Sequence, residues 1–263
     1  MILAARNSFL HAKQNMQNPY VTIGLVAMWD GEWNAGWGVH DAHAMTWKNL
    51  LGDSTYDLPV YSGASGYASV PTWSATGPTQ TTDLPFYFRK DSGFGDIYTL
   101  LENGEATVEF VTTYSQISNN GGQGVFFYNT TPSRIVVIDP ANNSAAKGYV
   151  VGWRFSTWNS YASVSIQKSA YLPQNKLSEQ VIGLHTVTLS VRSSSAADVY
   201  VDAINVHTLI GDPAYTRTWS GMRIMTYPDT RGTHHCCRIY SRALSAEEIA
   251  ANYAVDKERF NLP

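Results

Sequence analysis

The sequence predicts an all-β fold, a two-sheet antiparallel β-sandwich (jelly roll) with one short C-terminal helix. Many short segments alternate apolar and polar residues, which is the pattern of a half-buried strand. Turn residues such as Ser, Asn, Gly and Pro bound most of these segments, as they do in sandwiches and jelly rolls. The stretch 183–253 then alternates strands and turns before one amphipathic helix. Because no repeat or linker interrupts the chain, one sandwich domain is predicted over residues 20–263.

Composition limits the classes of partner. Hydrophobic residues make up 44 % of the 263 residues and charged residues only 15 %, which indicates a well-filled core beneath a polar, uncharged surface. A net charge of −3 gives no basic face, so no nucleic-acid partner is predicted. No apolar run approaches the ~20 residues that span a bilayer, so no membrane span is predicted. The first residues do not resemble a signal peptide, which favours retention in the producing cell or export within an assembled particle.

The first third of the chain has the least regular pattern. Residues 1–19 are predicted to form an N-terminal arm for attachment or oligomerisation, because so short a segment does not fold alone. Tyr20–Trp29 is predicted to form the first strand. Residues 30–95 are irregular and rich in Trp, and so long a stretch is expected to contain short strands or helical turns. Within it, a short helix is predicted over His43–Leu51 and a strand over Leu84–Arg89.

Clean alternation begins at Glu105. Ala106, Val108 and Phe110 are expected to face the core, with Glu105 and Glu109 on a solvated opposite face. Further strands are predicted at Val125–Tyr128, Arg134–Ile138, Tyr149–Phe155, Ala162–Gln167, 186–191 and 199–201.

The closing helix carries start signals that can be identified residue by residue. Ser245 followed by Glu248 forms a capping box, and Leu244 with Ile249 forms a hydrophobic staple around it. Ile249 and Tyr253 share one face of the helix because they lie four residues apart. We expect that face to dock on the edge of the sandwich and to cover an unpaired strand.

A His-His-Cys-Cys run at 234–237 suggests a metal site, but neighbouring side chains on a strand point to opposite faces, so at most two of the four share a site. The two adjacent cysteines give no disulfide framework. Cys237 and Ile239 are expected to point inward, and Arg238 and Tyr240 outward.

Three segments carry a family resemblance: Gly24–Ala27, Arg238–Ser245 and the following Glu247–Ile249. Through them the chain resembles laminin-G-like domains of the concanavalin-A-like lectin/glucanase superfamily, of the kind found in gut bacterial and phage surface proteins. The resemblance implies an opening strand that pairs near the closing strand. It also implies a module that binds glycans or proteins, in some members with calcium at a sandwich rim. The family's Asp-Gly turn is Asp202-Ala203 here, so the resemblance leaves the geometry of that turn open.

Aromatic residues in loops carry the binding hypothesis. Sugars offer apolar C–H faces that stack on Trp and Tyr, and their hydroxyls pair with Asn, Asp, Gln and Arg. Trp29, Trp47 and Trp153 lie in or beside strand and helix patterns and are expected in the core. The candidate ligand-binding residues lie in segments with loop patterns: Trp33, Trp37, Trp158, Tyr161, Tyr227, Asp229 and Arg231. For any single loop Trp, burial beneath the loop remains the alternative.

A glycoside hydrolase is the enzymatic alternative, with Glu105 and Glu109 as its carboxylates. Related glycosidases carry an E-x-D-x-E strand motif, whereas Thr107 stands at the Asp position here. Retaining chemistry needs carboxyl groups about 5–5.5 Å apart, and four residues along a strand separate the Cα atoms by roughly 13 Å. The sequence therefore predicts that the chain is not an enzyme.

Calcium is the one cofactor that the resemblance leaves open, and the metal ligands are unknown. Calcium needs several oxygen ligands from converging loops. The acidic residues of the irregular N-terminal half are the candidates: Asp30, Asp41, Asp53, Asp57, Asp91 and Asp96.

Three functions remain in view. The first is a non-catalytic recognition or structural module, exposed on a virion or cell surface, that binds a host cell-surface glycan or a neighbouring protein. A bacterial surface adhesin or carbohydrate-binding module is the second, and the glycoside hydrolase is the third. Homo-oligomers are the usual state of such surface assemblies, so self-association is expected as well.

Overall fold

The structure, a computed structural model, describes residues 18–61, 70–82, 84–97, 105–116, 124–128, 134–143, 146–153, 183–193, 196–210, 221–226 and 231–262. Two antiparallel sheets pack face to face, and a helix near the C-terminus lies on one of them. The predicted all-β sandwich is confirmed. The strands are β1 Leu25–Asp30, β2 Thr46–Trp47, β3 Leu58–Pro59, β4 Thr72–Ser74, β5 Gly77–Gln80, β6 Tyr87–Lys90, β7 Ala106–Gln116, β8 Gly124–Tyr128, β9 Arg134–Asn143, β10 Ala146–Trp153, β11 Gly183–Ser193, β12 Ala196–Val201, β13 Ile204–Ile210, β14 Gly221–Met225 and β15 Arg231–Tyr240.

Within the described residues the larger sheet has eight strands, in the order β13-β12-β11-β7-β15-β5-β4, and β1 also pairs with β15. The pairing of β1 with β15 joins Leu25 to Tyr240 and Asp30 to Cys236, which confirms that the opening strand lies beside the closing one. The first strand begins later than predicted, at Leu25, because Gly24 takes a positive φ of 79° and turns the chain just before it.

The smaller sheet joins three consecutive strands, β8, β9 and β10, to β14 and β6, which are distant in sequence. Its order is β10-β9-β8-β14-β6, again antiparallel throughout. A separate two-stranded ribbon joins β2 to β3. The strand predicted in the irregular region, over Leu84–Arg89, is present as Tyr87–Lys90. The strand predicted at Ala162–Gln167 and residues 1–17 of the arm predicted at 1–19 lie outside the described residues.

The main core lies between the two sheets. Side chains of β7, β11 and β15 meet those of β6 and β14, and all of them are fully buried or nearly so. Its central members are Val108, Phe110, Leu189, Ile239, Phe88 and Ile224. Cys237 faces this core together with Ile239, as the alternation predicts. Apolar area taken from water contributes about 25 cal/mol per Å², so this layer is the main source of stability.

The C-terminal helix, Ala246–Phe260, begins as predicted. Ser245 accepts a hydrogen bond from the backbone of Glu248, whose side chain accepts one from the Ser245 backbone, so the capping box is confirmed. Leu244 and Ile249 share one buried cluster, which confirms the hydrophobic staple. The helix ends at Asn261, which adopts the left-handed conformation with φ 55°.

The position of this helix differs from the prediction. It lies across the outer face of the larger sheet, where it contacts β7, β11 and β15, and does not cover a strand edge. The outer face is therefore buried, although its residues are polar. The expected solvated face is therefore wrong, because Glu109 is 1 % exposed and Arg238 is 0 % exposed. Arg238 and Tyr240 do point away from the main core, as predicted, but the helix buries them. These side chains are stable in the interior because they pair with one another and with the helix.

The helix predicted over His43–Leu51 is also wrong. Thr46–Trp47 is a short strand there, and side chains bond the backbone in place of a helical ladder. The indole of Trp47 donates to the carbonyl of Asp30 at 3.0 Å. Asn49 accepts from the backbone N–H of Met28, also at 3.0 Å. Such local side-chain bonds compete with helix formation.

The hairpin between β12 and β13 has a two-residue turn at Asp202 and Ala203. Their φ angles are 52° and 62°, so both are left-handed, as in the two-residue turns that match the twist of a hairpin. Ala203 therefore takes the geometry that Gly takes easily. Asp202 holds the turn, because it accepts from the Thr186 backbone at 3.0 Å and lies 2.7 Å from the His185 ring nitrogen.

Replacing Ala203 by Gly is expected to raise the free energy of unfolding by about 0.5–1 kcal/mol. A left-handed residue with a Cβ costs about 1–2 kcal/mol, and Gly loses part of that gain through its freedom in the unfolded chain. Urea denaturation measures the change. The matched control is Ala196→Gly in β12 of the same hairpin, where Gly weakens a strand and stability should fall. Equal destabilisation by both variants would show that the turn carries no strain.

Candidate functional site

A groove of ≈ 800 Å³ opens beside β1, between the loop that follows this strand and the β2–β3 ribbon. Its lining combines an indole ring, a charged pair, backbone and small polar groups: Asn18, Thr22, Ala35, Gly36, Trp37, Val39, Lys48, Asn49, Leu50, Leu51, Gly52, Ser54 and Asp57. A cavity of this size with a few placed polar groups is typical of small-ligand sites.

Trp37 forms the aromatic wall of the groove. It is half-buried and packs against Trp33, with ring centroids 5.0 Å apart and an angle of 44° between the rings. Behind this pair, the guanidinium of Arg259 from the C-terminal helix lies 4.3 Å from the Trp33 ring centroid. Arg259 is itself fixed by ion pairs with Asp30 and Glu32, each at 2.7 Å. Arg259 and its two ion pairs therefore hold the Trp33 ring in place, and Trp33 in turn supports Trp37.

Lys48 and Asp57 form the charged pair of the groove. The ammonium nitrogen of Lys48 lies 2.6 Å from Asp57 Oδ2. The Lys48 side chain is 48 % exposed and that of Asp57 is 13 % exposed, so the pair faces solvent mainly through its cation. Asp57 Oδ1 also accepts from the backbone N–H of Asn49 at 2.9 Å, which fixes the carboxylate.

The frame of the groove is held by bonds between side chains and backbone. The buried Asn49 donates to the Asp53 carbonyl at 3.0 Å, and the Leu50 backbone donates to the Met28 carbonyl at 2.8 Å. Asp53 caps the 3₁₀ turn Ser54–Tyr56 and accepts from Thr55 at 2.8 Å. A hydrogen bond from the Thr55 side chain, and next this backbone bond, lowers the pKa of Asp53. The loop is therefore pre-shaped for a ligand.

The chemistry that this arrangement supports is recognition of a polyhydroxylated ligand. An indole face stacks on the apolar C–H face of a sugar ring. Lys48 supplies hydrogen-bond donors and Asp57 supplies acceptors, which is what vicinal hydroxyl groups require. A site that combines an apolar platform with a few fixed polar groups is the usual plan for orienting a small ligand.

The structure brings two of the sequence-predicted site residues together, Trp33 and Trp37, although only Trp37 lines the groove. Arg231 begins β15 and pairs with Gln116, outside the lining. The remaining four candidates lie outside the described residues: Trp158, Tyr161, Tyr227 and Asp229.

Lys48 and Asp57 were missed, although the sequence held a signal for them. Gly52-Asp53 is a turn dipeptide, and residues 48 and 57 are equally distant from it. The observed register pairs Thr46 with Pro59 and Trp47 with Leu58, so Lys48 comes opposite Asp57.

The glycosidase pair does not form a site. Glu109 is buried beneath the helix, where Arg238 donates to it at 2.8 Å and Asn252 donates at 2.8 Å. Burial raises the pKa of Glu109, and the Arg238 guanidinium opposes that shift. Glu105 is exposed, just before β7. The two carboxylates therefore differ completely in access, and no substrate reaches Glu109 in this structure.

In the parts of the chain that the structure describes, no three His, Cys, Asp or Glu side chains come together in a way that could hold a metal ion. Asp30 binds Arg259, Asp57 binds Lys48, and Asp91 binds Arg89 at 2.6 Å. These three candidate calcium ligands are thus engaged separately. Likewise, no helix within the described residues is long and apolar enough to cross a membrane.

Comparisons with known proteins establish the fold. No protein-family model matches the sequence, and no curated protein matches it. The chain is similar to the solved Trypanosoma rangeli sialidase in complex with sialic acid, with a TM-score of 0.57 and 13 % identity, over 91 % of this chain and 34 % of that chain. The covalent intermediate of the same sialidase gives a TM-score of 0.56 with the same identity and coverage. A solved receptor-binding domain gives a TM-score of 0.53 and 11 % identity, over 91 % of this chain and 53 % of that chain.

These findings correct one prediction. The expectation that the chain is not an enzyme is wrong on this comparison, because the structures that share its fold include sialidases. The chain spans 34 % of the length of those structures. At 13 % identity the likeness establishes the β-sandwich, and a fold by itself fixes no reaction.

Proposed function

We propose that this β-sandwich is a glycan-recognition domain and that its ligand binds in the groove at Trp37. The observation that carries the proposal is the juxtaposition of a supported indole platform with the Lys48–Asp57 pair in a pre-shaped groove of ≈ 800 Å³. The indole contributes apolar contact with a sugar ring. The charged pair contributes directed hydrogen bonds to its hydroxyls.

Two of the neighbours in structure support a recognition role in general. One of them is a sialidase in complex with sialic acid, and another is a receptor-binding domain. This chain covers 34 % of the sialidase chain and 53 % of the chain of the receptor-binding domain. We therefore propose that the sandwich serves as one module of a carbohydrate-active or receptor-binding protein. The laminin-G-like, concanavalin-A-like assignment belongs to this proposal. So does display on a virion or cell surface, where self-association would multiply weak binding to a host glycan.

Replacing Trp37 by Ala is expected to weaken glycan binding about tenfold to a hundredfold. Burying an aromatic side chain against a ligand contributes about 1.5–3 kcal/mol, and each 1.4 kcal/mol changes the dissociation constant tenfold. Screening the whole chain on a glycan array identifies a ligand, and isothermal titration calorimetry then measures its dissociation constant for both proteins.

The control is Ile204→Ala, which removes an exposed apolar side chain outside the groove and should leave binding unchanged. Circular dichroism and a thermal melt verify that both variants are folded. Unchanged affinity of a folded Trp37→Ala variant would move the binding site away from this groove.

A further inference from the structure

The charges of the groove indicate which glycans it takes. Among the lining residues that the structure describes there is one cation, Lys48, and one anion, Asp57, and they neutralise each other at 2.6 Å. We propose that the groove selects an uncharged glycan and discriminates against sialylated, sulfated and uronic-acid forms of the same glycan. The inference rests on the proposed function and deepens it.

The charge of Lys48 is already compensated by a carboxylate of this chain. One of its three ammonium protons is directed to Asp57, which is itself fixed by the Asn49 backbone. A sugar carboxylate would have to compete with that carboxylate for Lys48 and would lie close to its negative charge. Like charges at such distances repel, most strongly where protein excludes water, and Asp57 is only 13 % exposed.

Recognition of carboxylates usually uses the planar fork of arginine, which donates two parallel hydrogen bonds. No arginine is among the described residues that line the groove. The guanidinium of Arg259 lies over the Trp33 ring and is paired with Asp30 and Glu32. It is therefore held behind the platform and not aimed into the groove.

An uncharged sugar matches these groups better. Each hydroxyl both donates and accepts, so neighbouring hydroxyls can bond Lys48 and Asp57 together without separating them. The remaining lone pairs of Asp57 accept from one hydroxyl while Lys48 donates to the next. Trp37 then contacts the C–H face of the same ring. The pair acts as one neutral, bifunctional contact.

The test uses an array of neutral glycans printed beside their sialylated, sulfated and uronic-acid counterparts, followed by calorimetry on one matched pair, lactose and 3′-sialyllactose or the equivalent pair from the array. We expect the neutral member to bind at least about tenfold more tightly, which corresponds to 1.4 kcal/mol. Trp37→Ala should weaken that binding, which places it in the groove.

Asp57→Asn provides the sharper arm of the test. The amide keeps an acceptor for the Asn49 backbone but releases Lys48 as an unpaired cation. The preference for the neutral member should therefore shrink or reverse, whereas Glu105→Gln, which removes an exposed charge outside the lining, should leave the preference unchanged.

The outcomes separate the two proposals. If acidic glycans bind the parent protein as well as or better than their neutral counterparts, the inference about charge is wrong and the proposed function stands. If no glycan of either kind binds, the proposed function itself fails and the inference fails with it.

Discussion

Replacing Arg238 by Met should lower the free energy of unfolding by about 3–5 kcal/mol, because it leaves two buried carboxylates without their cation. Arg238 is fully buried and bridges Asp256 and Glu109, with nitrogen–oxygen distances of 2.5 and 2.8 Å. Its guanidinium also lies 4.0 Å from the ring centroid of Tyr20. A loss of this size is a large fraction of the roughly 5–15 kcal/mol that stabilises a typical domain.

The ion group joins three parts of the chain that are far apart in sequence. Glu109 lies on β7, Arg238 on β15 and Asp256 on the C-terminal helix. Tyr20 donates to Asp256 at 2.8 Å, so the segment before β1 belongs to it as well. Loss of the cation is therefore expected to release the helix from the sheet along with Tyr20.

Urea denaturation followed by circular dichroism measures the effect. The matched control is Arg192→Met, which removes an exposed arginine that pairs with Asp198 at 2.5 Å. Exposed pairs contribute about 1 kcal/mol or less. A second variant keeps the test informative if Arg238→Met does not fold. Combining it with Glu109→Gln and Asp256→Asn removes all three charges and should recover part of the stability. Equal losses for Arg238→Met and Arg192→Met would contradict the argument.

Acidification should destabilise the protein well before its exposed carboxylates are protonated. Burial lowers the pKa of His234 to about 3, and the neighbouring His235 adds to that shift. Burial likewise lowers the pKa of His235 to about 4. His234 lies between the rings of Phe86 and Phe110, each at 4.9 Å, and Tyr114 bonds its Nε2 at 2.9 Å. Both imidazoles are therefore neutral in the fold.

The direction follows from proton linkage. In the unfolded chain the pKa of a histidine is about 6.5. Below that pH the unfolded state therefore binds more protons than the folded state. Stability is complete above pH ~6.5 and falls as the pH decreases towards about 4, by up to about 2.7 kcal/mol per pH unit for the two groups together. The raised pKa values of Glu109 and Asp30 act in the opposite direction near the lower end of this range.

Urea midpoints between pH 7.5 and 4.5 provide the measurement. His234→Gln should roughly halve the slope of stability against pH, because one of the two titrating groups is removed. His43→Gln alters an exposed histidine and should leave the slope unchanged. A parent protein whose stability is constant from pH 6.5 to 4.5 would show that these imidazoles are not buried in the neutral form.

Local patterns predicted the elements that local forces determine. Alternation located β7 and β11 because each alternating apolar set reaches the core, and Ser245 with Glu248 located the helix start because the capping bonds are local. The face of the sheet on which the helix docks was not predictable in the same way. In the sequence alone, a strand face that carries Glu109 and Arg238 has the same pattern as a solvated face. It is buried because Asp256 of the C-terminal helix pairs with Arg238 in the fold.

The same difference separates the residues of the candidate site that the sequence identified from those that it did not. Trp33 and Trp37 were identified because their residue type is sufficient to suggest a sugar platform. Lys48 and Asp57 are ordinary surface residues by type, and only the register of the short β2–β3 ribbon brings them together. Arg259 was missed for a similar reason, because it approaches Trp33 from the far end of the chain.

The contact of Arg259 with Trp33 also bears on synthesis. Trp37 leaves the ribosome early, but its supporting base includes a residue more than two hundred positions later, and β1 pairs with β15, which is also made late. Contacts between such distant segments form slowly, because a long loop must close first. A growing chain therefore carries its indoles for most of translation without a finished groove. The supported pair of indoles is complete only once residue 259 has emerged and the C-terminal helix has folded.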